Sequence, residues 1–128
     1  MFDVLSMLRG ISPLLSPRLL ATLHRLGHGD TFVLADAHFP GHSANSYTLR
    51  ADGLLIPELL DAILPLFVLD NFIDDPVAMM APVEGDTADP AVEVAYREII
   101  DQHALHERVN LEELRREVRS GAVVMQPL

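Results

Sequence analysis

Hydrophobic positions along this chain switch between a helical period and short apolar runs. Leu19, Leu20, Leu23 and Leu26 recur three or four residues apart and so share one face of a helix. Ser16-Pro17 opens that helix, because serine can cap free amides and proline's fixed φ suits the first turn. Gly27 stops it. Thr31 to Asp36 (TFVLAD) is β-branched and aromatic, and reads as a buried strand. A loop from Ala37 to Ser46 follows, and Tyr47 to Arg50 is a candidate short strand. Pro57 starts a second helix with Leu59, Leu60, Ile63 and Leu64 on its inner face. Val77 to Val83 is a candidate core strand. Asp89-Pro90 caps a third helix running to about Gln102. Asn110 with Glu113 forms an N-cap and capping-box pair for a fourth helix, ending at Gly121, and Ala122 to Met125 reads as a last strand.

Helices thus alternate with strands, and no two strands are joined by a two-residue hairpin. The expected class is α/β, in a three-layer arrangement with a mostly parallel sheet flanked by helices, in one domain spanning 1–128. A chain of 128 residues, 49% hydrophobic and 22% charged, has the composition of a folded domain. It has no cysteine, which excludes disulfides, thiolate metal sites and cysteine catalysis. Its net charge of −10 opposes phosphate backbones and anionic lipid, so neither nucleic acid nor membrane is an expected partner. The start, MFDVLSMLRG, lacks the apolar run of a signal peptide. The most apolar stretch, Leu54 to Leu69, is broken by Pro57 and Pro65 and carries Glu58 and Asp61. It is too short to span a bilayer, and a cytoplasmic location is the expectation.

Histidines are the first candidates for chemistry, since imidazole titrates near neutrality. His28 sits in Gly27-His28-Gly29-Asp30, between a helix end and a strand, with two glycines leaving the ring uncrowded. It could pass a proton to or from a ligand; the alternative is an exposed turn histidine. Asp36 ends the first strand, and ligands of open α/β sheets bind outside the carboxyl ends of strands. An acid there could hold sugar hydroxyls or orient a histidine; the alternative is a turn or cap aspartate. Asp36, His38 and His42 carry metal-ligand chemistry, but Pro40 and Gly41 keep the two histidines off one helical face. Arg50 and Asp52 could clamp a substrate or pair in a turn. Glu84-Gly85-Asp86 could wall a site or be a solvated loop, and His103 and His106 read as surface residues past a helix end. The chain has no dinucleotide fingerprint, P-loop or nucleophile elbow.

Taken in order, MLRGISPLLSPRLLATLHRLGHGD from Met7, then DAHFP, RADGLLIPELLDAILPLF and APVEGD, resemble the fucose mutarotase and ribose pyranase family, on its fucose branch. The resemblance runs from about Met7 to Asp101, so residues 1–6 are expected to be an upstream extension. It implies cofactor-free interconversion of the anomers of a free monosaccharide, most often L-fucose. It also implies a ring-shaped homodecamer with each site at a subunit boundary. By the same resemblance the catalytic acid is His28 of GHGD, Asp36 of DAHFP binds substrate, and no metal is required. The family's substrate arginine stands ahead of its last helix. Arg108 lies near that place, and Asn110 fits the spacing as well. Leu114 occupies the position of a usual tyrosine, and the family's terminal strand with its Tyr-Gly-Asn motif has no counterpart after Met125. Three functions therefore follow from the sequence: a fucose mutarotase, a non-catalytic sugar-binding or assembly relative, and a metal-binding protein using Asp36, His38 and His42.

Overall fold

The computed structural model describes residues 8–70, 72–74, 76–81, 84–85, 89–104, 115–118 and 122–125. Helix α1 (Pro17–Arg25) begins where the sequence dictates. Ser16 has extended backbone, and its hydroxyl accepts from the Leu19 amide at 3.1 Å. His24 and Arg25 fill the last turn, where cations suit the negative end of the helix. Strand β1 (Phe32–Ala35) follows, then a single helical turn, α2 (Gly41–Ala44). Helix α3 (Ile56–Ile63) runs into a 3₁₀ turn at Leu64–Leu66. Strand β2 (Val77–Ala81) precedes helix α4 (Pro90–Ala104), whose first turn is closed by the Ala91 amide donating to Asp89 Oδ1 at 3.0 Å. Two short strands, β3 (Arg115–Val118) and β4 (Ala122–Met125), complete the described elements.

The sheet has the order β1-β4-β2-β3. β2 and β3 are parallel, but β4 is antiparallel to both β1 and β2. The sheet is therefore mixed, and the expectation of a mostly parallel one is corrected. The reason is the length of one connection. Residues 119–121 alone separate β3 from β4, whereas two consecutive strands that run parallel in one sheet need a crossover of about a dozen residues. The chain must reverse, and because β3 runs with β2, β4 runs against it.

Other expectations shift in the same way. Arg115–Val118 is a strand, so the proposed fourth helix does not extend through it; its start at Asn110 and its end at Gly121 lie outside the described residues. β1 is an edge strand rather than a buried one. Leu34 faces the core, while Val33 is 46% exposed and Ala35 is exposed, so among the described residues no helix covers that face of the sheet at β1. Tyr47 to Arg50 forms no strand.

The core joins the inner face of α3 to the sheet and to α4. Leu60, Ile63, Val77, Ile100 and Met125 are each 1% exposed or less. Phe32 and Phe67 meet edge to face at 5.3 Å between centroids, which ties β1 to the segment after α3. This packing anchors the amino end of β1, the strand that the two principal candidate residues flank.

Candidate functional site

At the amino end of β1 the GHGD segment forms a closed turn. The Asp30 amide donates to the Gly27 carbonyl at 3.0 Å, and the Gly27 amide donates to Asp30 Oδ2 at 2.8 Å. Gly29 has φ +89°, a backbone region that side chains with a Cβ avoid. The turn therefore needs glycine at 29 and a carboxylate at 30, and it lifts His28 to an exposed tip. Asp30 is a positioning residue that the sequence motif contained without revealing its role.

At the carboxyl end of β1, Asp36 is held by the backbone it precedes. Its Oδ1 accepts from the His38 amide at 3.0 Å and from the Phe39 amide at 3.1 Å. Such an Asx turn fixes the carboxylate orientation at little entropic cost. Among the described residues, no further hydrogen bond to the Asp36 carboxylate occupies its second oxygen. Tyr96 of α4 stands within electrostatic reach. Burial pushes its phenol above the ordinary tyrosine range, and the Asp36 charge pushes it further in the same direction. Both effects favour the protonated phenol. Its position on α4, packed against the core, could be found only in three dimensions.

β1 also separates the two candidates. Its four extended residues put about 10 Å or more of backbone between the GHGD turn and Asp36. One chain alone does not bring His28 and Asp36 into contact. Asp36, His38 and His42 do not converge either: among the described residues, no group of three His, Asp or Glu side chains could hold a metal ion. Arg50 and Asp52 form a fully solvated ion pair at 3.1 Å, which supports a turn rather than a substrate clamp. Glu84 and Gly85 lie in an exposed turn, and Asp86 lies outside the described residues. So does Arg108, the expected substrate arginine. His103, expected beyond a helix end, instead belongs to α4, and its Nε2 lies 2.9 Å from Asp61 Oδ1 on α3. It clips the two helices together, a role that sequence separation conceals.

Residues 9–126 match the sequence profile of the RbsD / FucU transport protein family. The chain belongs to this family. It is 56% identical over 95 residues to an L-fucose mutarotase of Haemophilus influenzae, a match covering 74% of this chain and 66% of that protein. The matched stretch is thus just under two thirds of the relative's length. The fold is also similar to the crystal structure of a fucose mutarotase in complex with L-fucose from Streptococcus pneumoniae. There the TM-score is 0.75 at 33% identity, covering 94% of this chain and 97% of the other. FucU from Bifidobacterium longum matches with the same TM-score at 30% identity, covering 93% and 97% of the two chains. Among the described residues, no helix is long and apolar enough to cross a membrane.

Proposed function

We propose that this family member is an L-fucose mutarotase, interconverting the α and β anomers of the free sugar. The observation that carries the reading is the coupling of two features. An exposed histidine and a fixed carboxylate flank one strand, in a chain 56% identical over 95 residues to an L-fucose mutarotase. Mutarotation removes the proton of the anomeric hydroxyl and protonates the ring oxygen as the bond from C1 to that oxygen breaks. Rotation of the open aldehyde and reclosure on its other face give the second anomer, and the protons return by the reverse path. The net reaction needs an acid and a base but no oxidant and no covalent intermediate. His28 is the proton donor to the ring oxygen. Asp36 accepts hydroxyl protons from the sugar through the oxygen its turn leaves open, and the Tyr96 phenol donates beside it. Arg108 completes substrate binding in this reading.

The distance along β1 favours assembly as part of the function. A site that uses both His28 and Asp36 is most easily closed by a second copy, and among the described residues no strand pairs with the outer edge of β1. A homo-oligomeric ring, the decamer that the family resemblance implies, meets that need, with one domain in each subunit. Polarimetry tests the activity directly. Freshly dissolved α-L-fucose should relax to its equilibrium rotation faster with protein than in buffer, and an unchanged relaxation would leave only sugar binding or assembly.

A further inference from the structure

A groove of about 290 Å³ lies between the outer face of α1 and the segment 46–49. Its volume is at the lower end of the range for small-molecule sites. Arg18, Thr22 and Arg25 line one wall, and Ser46, Tyr47 and Thr48 line the other. Among the described residues no carboxylate lines it, although acidic residues outnumber basic ones 19 to 9 in the chain. Arg50 and Arg97 both pair with acids, at Asp52 and Glu93. Among the described residues, Arg18 and Arg25 have no such partner. The two are seven positions apart, which puts them on one face of the helix, about 10 Å apart along its axis. That spacing is within the combined reach of two arginine side chains.

The opposite wall is built rather than loose. The Tyr47 amide donates to Asn45 Oδ1 at 2.8 Å, and the Thr48 hydroxyl donates to the Asn45 carbonyl at 3.0 Å. On α1 the Thr22 hydroxyl donates to the Arg18 carbonyl at 2.8 Å, so its lone pairs face outward as acceptors. Tyr47 is 85% exposed, its ring standing uncovered at the groove's edge.

We infer that this groove binds a phosphomonoester of a sugar or similar polyol. Two guanidinium groups with no acid partner among the described residues match the charge and the planar donor geometry that a phosphate demands. The acceptor oxygens of Thr22, Ser46 and Thr48 match hydroxyl donors, and an exposed aromatic ring offers the flat apolar surface on which a sugar's C–H face packs. The groove is separate from His28 and Asp36, so the inference does not depend on the mutarotase reading.

The test is calorimetry on the full chain with three probes: a hexose 6-phosphate, the parent hexose and inorganic phosphate. The hexose phosphate should bind saturably and weaken as salt rises. The parent hexose and inorganic phosphate should each bind at least tenfold more weakly. Arg18→Gln and Arg25→Gln should each weaken hexose phosphate binding about tenfold, with circular dichroism confirming an unchanged fold. Three results would overturn the inference: no saturable binding, affinity indifferent to both substitutions, or equal affinity for inorganic phosphate and the sugar phosphate.

Discussion

Asp30 acts on the proposed chemistry by closing the turn that carries His28, and Tyr96 by its place near Asp36, and each role can be separated by substitution. Asp30→Ala removes the acceptor of the Gly27 amide and should cost about 1 kcal/mol of stability. If the closed turn is what aims His28, the same change lowers kcat while leaving KM nearly constant, and Asp30→Asn restores part of the rate. Equal losses in both parameters would show a general structural effect. Tyr96 can be followed by ultraviolet titration, because Tyr47 is the only other tyrosine and is exposed. The Tyr96 phenol should ionise above the ordinary tyrosine range. Asp36→Asn should move its ionisation down, since it removes the charge that disfavours phenolate. The consequence for stability has a defined sign. An unfolded tyrosine loses its proton near pH 10, while folded Tyr96 keeps it. Stability from this group is complete below pH 10 and falls as pH rises from there through the folded value. Tyr96→Phe should abolish that alkaline loss.

Elements were legible where local chemistry and tertiary packing agree. Ser16-Pro17 and Asp89-Pro90 set the starts of α1 and α4, and the structure shows the caps they imply. Val77 to Ala81 and Ala122 to Met125 are apolar enough to be strands in any context. β3 was hidden because Arg115-Arg116-Glu117-Val118 has neither the apolar content nor the alternation of a buried strand. It pairs at the edge of the sheet through its backbone, which its side chains do not announce. The antiparallel course of β4 was written in the short connection before it, but only once β3 is recognised. The candidate site was half legible: GHGD and DAHFP marked His28 and Asp36, whereas Tyr96 approaches from α4, some 60 residues further along. Burial predicts how each element responds to truncation. Ile63→Ala empties a fully buried position and should cost about 2–5 kcal/mol in chemical denaturation. Val33→Ala, on the open face of β1, should cost well under 1 kcal/mol in the free chain.

At the scale of the molecule, charge and open edges set the expectations. A net charge of −10 keeps copies apart at long range, so assembly must come from short-range pairing and apolar contact. β1 and β3 end the described sheet, and among the described residues nothing covers the outer face of β1 at Val33 and Ala35. Light scattering should therefore report a homo-oligomer whose fraction increases with salt. A monomer at all concentrations would remove the means by which His28 and Asp36 share a sugar. The central claim is that the strand carrying these two residues supports anomer exchange. Saturation-transfer NMR on equilibrated L-fucose measures that exchange without a coupled assay. The protein should accelerate transfer between α and β resonances, and His28→Ala should reduce the acceleration by about 100-fold or more while the fold persists. Acceleration that survives in His28→Ala would contradict the account, as would exchange at the buffer rate in the unaltered protein.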